Sequence, residues 1–486
     1  MSILFILTIS GYILCLFLLS AFFVKRALHS YEEYAYCGRQ LTISFIIFTY
    51  LGTWIGGGTI IGLSGSAAKH GASQYWIFAL SCIIGYVFAL LFIRQIRRGN
   101  FQSIGDLMAA RYPEMGGLIR IPTVISLLIR NITMIGMQFT ALAFLLTFVF
   151  HIDINLALLV TFIAITGYTC LSGLWAVVST DVVQGFLQTI GMILLLAVSL
   201  KLCGGLDNVA AYYRSSGDLS HINILFPQAS PSYLLLYSVC FGLFFLMGDE
   251  SDWIRIYSAK TAKSAFWGYL IPLTITLLLL ILPAYIGIFD NVIARGSIDA
   301  NQLLYWVISN KVGKFLMIFF LLAVISAIMS TCDSYLQACG ALFSNVLIRR
   351  FINKEASDRE LIFWSCVSMI VCGAAGFAFS INLHNIVRLW ILGISIASII
   401  IVPEYLCAWF SRILNTKGAL WGSAFGIIYC VITLFIDSRM SLMTVLGGII
   451  GNTLISYLVS FLTRDKTLNI RHNYYMILKA LHPSAD

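Results

Sequence analysis

With 486 residues, 60% of them hydrophobic and only 10% charged, the chain is far too apolar for a soluble protein, where about a quarter of residues are charged. The net charge of +9 does not point to nucleic acid, because the basic residues form short clusters between apolar runs, as in the cytoplasmic loops of a membrane protein. The 12 cysteines are scattered without a CxxC pair or metal-type spacing, so they read as small apolar packing residues.

A span across a bilayer needs about 20 apolar residues. The first run, 2–24, has no basic residue before it and no small-residue cleavage site after it. It is expected to be kept as a helix rather than removed as a signal peptide. Lys25 and Arg26 follow at once and place its start outside. Further spans are predicted near 43–68, 74–96, 119–149, 154–176, 180–203, 231–256, 265–289, 312–345, 360–380, 385–409, 417–436 and 441–463, about thirteen in all. With the N-terminus outside, Arg97, Arg98, Arg111, Lys260, Lys263, Arg349, Arg350 and Lys354 all fall on the inner side. The outer loops keep few cations, among them Lys69, Arg214, Arg295 and Arg439. The bias predicts a C-terminus in the cytoplasm and residence in the cell (plasma or inner) membrane.

Two spans carry breaks. Gly56, Gly57 and Gly58 sit in the middle of the second, and consecutive glycines each cost a helix roughly 1 kcal/mol against alanine. Unwound backbone at membrane depth is tolerable only where it lines a cavity or a bound ion. In the seventh, Asp249, Glu250 and Asp252 follow the apolar run that ends at Met247. Either the helix stops there and the acids are cytoplasmic, or this is a second broken helix that resumes through Trp253. Breaks at matching places in two halves point to a transporter site.

The ninth span places Ala327, Ser330 and Thr331 at i, i+3 and i+4, on one helical face. Two hydroxyls and a carbonyl there, with carbonyls of Gly52 and Ile55 from the broken second span, make five neutral oxygens. Such a set suits a monovalent hard cation, since a divalent ion draws carboxylates. Ser and Thr in membrane helices also commonly bond to their own backbone, and only the neighbouring break favours the ion.

These stretches resemble the sodium:solute symporter family, over roughly residues 10–460. The resemblance rests on Gly52–Gly58 with Ile61 and Gly62, on Gly173–Val177 with Thr180–Gln184, and on Ala327–Thr331 with Asp333 and Ser334. It implies an all-α polytopic fold of the leucine-transporter type, a 5+5 inverted repeat with one extra N-terminal and two extra C-terminal helices. It also implies a sodium gradient as driving force and alternating access. The whole of 1–486 is then one transporter domain: an extra helix at 2–24, repeats at 43–203 and 231–409, extra helices at 417–463 and a cytoplasmic tail at 464–486. By the same resemblance Gly52, Ile55, Ala327, Ser330 and Thr331 hold sodium, and Asp181 lies near the ion's inward exit.

Among the family's branches the high-affinity choline carriers are nearest in motif. Trp54, Gly56, Gly57 and Tyr86 match positions around their substrate, where aromatic faces attract an ammonium group. Two further cage tryptophans are replaced here by Arg130 and Asp249. These could pair with each other, could hold the two ends of a zwitterion, or Arg130 could simply face the headgroups.

The expected function is sodium-coupled import of a small organic solute, amine-bearing or zwitterionic. The alternatives are a solute sensor built on a symporter-like bundle, or a symporter for a carboxylate or sugar such as pantothenate. The seven histidines fall in or near loops with no nucleophile–base pair, so no enzyme activity is expected. Sodium, the solute and the lipid bilayer are the expected partners. Neither a cofactor nor nucleic acid is expected, and the oligomeric state is left open.

Overall fold

The computed structural model describes residues 3–99, 101–171, 173–225, 238–239, 242–243, 249–383, 386–436 and 440–463. Most of the expected seventh span and the tail 464–486 lie outside the described residues. Among those described the chain is helical, and the only β pairing is an isolated bridge between Leu41 and Ala259.

The chain enters through α1 (Ile3–Ala27) and a short α2 (Tyr31–Tyr36), whose first turn is capped by the Ser30 hydroxyl accepting from Glu33 N. Next, α3 (Ile43–Trp54) and α4 (Leu63–His70) make up the broken second span. Between them the backbone leaves the helix at Ile55 (φ −108°, ψ 80°) and resumes as a wide turn over Gly58–Gly62. The two halves are bent by 48°.

The chain continues with α5 (Tyr75–Arg98), α6 (Ile104–Arg111), α7 (Glu114–Gly117), α8 (Arg120–Phe150), α9 (Ile154–Thr169), α10 (Gly173–Leu202) and α11 (Leu206–Ser215). After residue 248 come α12 (Glu250–Ser258), α13 (Ala262–Leu279), α14 (Ile281–Ala294), α15 (Leu303–Lys311) and α16 (Lys314–Ala341). The chain closes with α17 (Asp358–Asn382), α18 (Ile386–Phe410), α19 (Thr416–Ile436) and α20 (Leu442–Leu462).

Ten helical stretches are long and apolar enough to cross a membrane, and the bent pair α3–α4 makes an eleventh. The expected span at 154–176 is shorter, with α9 covering Ile154–Thr169. The chain is thus a multi-pass membrane protein, with ten or eleven full-length spans and the shorter apolar α9 among the described residues, while most of the expected seventh span lies outside them.

Burial sorts these helices into centre and rim. The span containing α16 has 78% of its apolar window inside the protein, whereas α1 has 11% and α19 and α20 have 28% each. Helix α16 packs on α3, α8 and α10, and α3 packs on α10 and α13. The broken segment is therefore enclosed by protein, as exposed backbone polar groups at this depth require. The rim helices α19 and α20 pack on α18 and on each other.

Candidate functional site

A helix end leaves its last four carbonyls without helical partners. At the end of α3 all four are met by side chains. Gln188 Nε2 donates to Leu51 O at 2.7 Å, Ser330 Oγ to Gly52 O at 2.8 Å, Thr331 Oγ1 to Thr53 O at 2.9 Å, and Thr59 Oγ1 to Trp54 O at 3.1 Å. Two of these donors are the hydroxyls singled out from the sequence. Both also reach their own helix: Ser330 Oγ lies 2.9 Å from Ser326 O and 3.2 Å from Ala327 O, and Thr331 Oγ1 lies 2.9 Å from Ala327 O.

Each hydroxyl has one proton and more than one acceptor. Turning the proton to α16 leaves lone pairs facing the carbonyls of Gly52 and Thr53. Two hydroxyl and three carbonyl oxygens then converge, a neutral hard donor set suited to a monovalent cation. The structure brings Gly52, Ala327, Ser330 and Thr331 together. Ile55 is buried at the turn, and no hydrogen bond joins it to this group among the described residues. The second carbonyl facing α16 belongs to Thr53, which sequence reasoning missed. The signal was available, because the last four carbonyls of a helix that stops at Trp54 begin at Leu51.

The glycines at the break permit this approach. A Cβ on Gly56 would lie 2.5 Å from Thr331 Oγ1 and 2.9 Å from its Cβ. Such overpacking costs about 1–3 kcal/mol when the neighbours must shift. Gly56→Ala is accordingly expected to raise the half-saturating sodium concentration roughly tenfold, since about 1.4 kcal/mol is one decade. Sodium titration of uptake is the check, and an unchanged half-saturation would mean that α3 and α16 do not have to meet here.

Asp181, from α10, is fully buried against the last turn of α3. Its Oδ2 accepts from Thr49 Oγ1 and pairs with Arg255 Nη2 at 3.4 Å. Arg255 was not singled out from the sequence. It reaches across from α12, and nothing in its own neighbourhood names its partners on α3 and α10.

Helix α12 settles the question of the three acids. Asp249 is its N-cap: the Asp249 carboxylate accepts from Ser251 N at 3.3 Å, and Asp252 returns the bond to Asp249 N at 3.2 Å, a capping box. All three acids are buried, at most 3% exposed, at the start of a helix rather than in an exposed loop. Arg130 Nη1 pairs with Asp249 Oδ2 at 2.5 Å, and its Nη2 donates to Tyr335 OH at 3.3 Å. The guanidinium also lies over the Tyr335 ring, 4.5 Å from its centroid. Of the three arrangements open from the sequence, the two residues adopt the mutual pair.

Beside this pair lies a small cavity of about 70 Å³, walled by Trp54, Gly56, Tyr86, Arg130 and Tyr335 and touching Thr331 of the oxygen cluster. That is room for a few waters and well below the roughly 300–1,000 Å³ of a small-molecule pocket, so a solute needs the walls to part. Gly57 and Asp249 stand behind the wall, Gly57 with its N–H bonded to Gln138 Oε1 at 2.9 Å. Trp54 and Tyr86 do not face each other across a gap. They stack at 4.6 Å, so each covers one face of the other. Tyr269 meets Trp54 edge-on at 5.2 Å. Trp54 Nε1 donates to Asp252 Oδ1 at 3.1 Å, and a carboxylate on the indole N–H makes the ring more electron-rich. The aromatic wall is therefore electronegative.

Comparisons with known proteins agree with this architecture. Residues 34–426 match the sequence profile described as the Sodium:solute symporter family. The human high affinity choline transporter 1 is 25% identical over 412 residues, which cover 80% of this chain and 69% of that protein. The Escherichia coli (strain K12) sodium/pantothenate symporter is 24% identical over 387 residues, covering 76% of this chain and 77% of that protein. Among solved structures, the substrate-bound outward-open state of a Na+-coupled sialic acid symporter superimposes with a TM-score of 0.78 at 16% identity, covering 95% of this chain and 98% of the other. A nucleobase-cation-symport-1 family transporter in a closed conformation follows with a TM-score of 0.57 at 14% identity, covering 92% and 98%. At such identities the likeness shows the fold alone.

Proposed function

Since the chain belongs to the sodium:solute symporter family, has a leucine-transporter-type fold and is a sodium-coupled symporter of a small solute, we propose that its solute is amine-bearing or zwitterionic and is imported by alternating access. The observation that carries the ion half of this reading is the meeting of Ser330 and Thr331 with the freed carbonyls of Gly52 and Thr53. Gly52, Ala327, Ser330 and Thr331 hold the sodium, with Thr53 O added to the set and Ile55 at the turn beside it. Asp181 lies on the inward exit path. Sodium joins the broken α3 end to α16, and so favours the arrangement in which the neighbouring cavity is formed.

The solute half is carried by the electronegative wall of Trp54 and Tyr86, backed by Asp252. A cationic amine fits the exposed ring faces. A carboxylate on the same molecule would draw Arg130, while Asp249 turns towards the amine. Gly56 and Gly57 leave room for it. A carboxylate-only solute is the second reading, carried by Arg130 in the cavity wall. The Lys and Arg bias of the loops supports residence in the cell membrane with the N-terminus outside and the C-terminus cytoplasmic. Residues 1–486 form one transporter domain with repeats at 43–203 and 231–409.

Purified protein in liposomes is to be screened with choline, betaine, proline, other amino acids, pantothenate and sugars, with and without an inward sodium gradient. The gradient is expected to raise accumulation of an amine-bearing member of the panel, and Trp54→Ala to weaken its apparent affinity about tenfold, the loss of one cation–π contact of about 1–2 kcal/mol. Uptake indifferent to sodium would sink the coupling, and uptake of pantothenate or sugars alone would sink the amine assignment.

A further inference from the structure

One tethered charge lies directly beside the sodium site. The guanidinium of Arg255, buried on α12, donates from Nη2 to Thr53 Oγ1 at 2.6 Å and to Ser334 Oγ at 2.7 Å. Its Nε donates to Thr49 Oγ1 at 3.0 Å and its Nη1 to Ser251 O at 3.0 Å, while Nη2 pairs with Asp181 Oδ2. Three hydroxyls, a carbonyl and a carboxylate from α3, α10, α12 and α16 thus surround the guanidinium, and three of them, Thr53 Oγ1, Ser334 Oγ and Asp181 Oδ2, meet at the single atom Nη2. Without the guanidinium these are the hard oxygen ligands that hold a metal cation.

The position adjoins the sodium cluster. Thr53 belongs to both: its carbonyl takes the Thr331 hydroxyl at 2.9 Å, and its own hydroxyl meets Arg255. Ser334 lies one turn beyond Ser330 and donates to Ser330 O at 2.9 Å. A second observation points to ligand capacity. Asp181 Oδ1 is buried without a hydrogen-bond partner and faces Gly52, at 3.2 Å from where a Gly52 Cβ would sit.

Further buried acids lie near the guanidinium. Asp333, bonded by Tyr168 OH at 2.6 Å, lies within electrostatic reach of both Asp181 and Arg255. Asp252, which accepts from Trp54 Nε1, is a further buried acid within electrostatic reach of Arg255. Buried charges at membrane depth are held as compensated groups.

We propose that Arg255 is a built-in cation occupying a second cation site, and that it holds this transporter to one sodium ion per cycle. The inference rests on the coupling site proposed above at Gly52, Ala327, Ser330 and Thr331. Arg255 is then a stoichiometry-determining residue. Removing its charge while keeping the surrounding oxygens should admit a second sodium.

The test is binding of 22Na+ to the purified full-length protein, read by scintillation proximity. The parent protein is expected to bind about one ion per chain with a Hill coefficient of about 1. Arg255→Gln should bind about two, with a coefficient rising above about 1.5, while Arg255→Lys keeps a positive charge and stays at about one. A parent protein that binds two ions overturns the proposal, and so does a folded Arg255→Gln variant that still binds one. Should Arg255→Gln be recovered only at high sodium, its melting temperature must climb more steeply with sodium than that of the parent, because the ion then replaces the missing charge. A variant that stays unfolded at every sodium concentration overturns the proposal. Failure of the coupling site looks different: the parent binds no 22Na+ and its uptake ignores the sodium gradient.

Discussion

Replacing Ser330 and Thr331 together by alanine is expected to remove sodium dependence of uptake over the range that saturates the parent. Each hydroxyl offers a lone pair to the ion, and a hydrogen-bond-type contact to a charged group contributes about 1.5–3 kcal/mol. Two such losses weaken sodium binding by roughly 100-fold or more, since about 1.4 kcal/mol is one decade. The fold should survive, because both side chains lie among carbonyls that water can satisfy once the hydroxyls are gone. The single variants should each lose about one decade, with Gly52 O and Thr53 O still present. Sodium titration of solute uptake in liposomes reads all three, and a double variant with normal half-saturation removes the pair from the ion site.

The second large effect is expected at the buried pair of Arg130 and Asp249. Their side chains are 2% and 5% exposed, so neither charge has water to fall back on. Asp249→Asn leaves the guanidinium with Tyr335 and Asn131 as polar partners but no opposite charge at its Nη1. Breaking a buried pair from one side costs about 3–5 kcal/mol. Asp249 also caps α12, whose first N–H groups lose an anionic acceptor. The single variant should therefore melt well below the parent in detergent. The doubly neutral Arg130→Gln/Asp249→Asn variant should regain most of that stability, because no unpaired charge remains. If the pair also handles the solute, uptake in the double variant stays below about a tenth of the parent, a loss of more than about 1.4 kcal/mol. Recovery of both stability and uptake would make the pair structural only, and a single variant that melts like the parent would show that the two charges do not depend on each other.

The two pairs of acid and arginine differ in how far the sequence exposes them. Arg130 and Asp249 stand out because charges inside apolar runs are rare, and so both could be named in advance. What each of them meets could not be. They are separated by more than a hundred residues, and a guanidinium in a membrane helix has a headgroup, a substrate and a carboxylate as competing partners. Arg255 was invisible for the opposite reason. It follows three acids near an apparent helix end, where a cation looks like a loop residue. Only the packing of α12 against α16, α2 and α5 turns it inward, where its side chain reaches α3 and α10.

Local properties of consecutive residues determined most of the architecture. Apolar run length marks where helices can cross, loop cations predict which side they face, and the run Gly56–Gly58 marks where a span breaks. Even the face that Ala327, Ser330 and Thr331 share follows from helical periodicity. Run length alone does not say how much of a stretch such as 154–176 becomes helix, and α9 ends at Thr169. Tertiary structure decided the rest. Which carbonyls face α16, that Thr53 and not only Gly52 supplies one, that Trp54 stacks on Tyr86 instead of facing it across a gap, and that Asp181 pairs with Arg255 are all choices among competing partners. A hydroxyl, a ring face or a buried charge has several acceptable neighbours in any chain. Only the close packing of helices distant in sequence leaves one within reach.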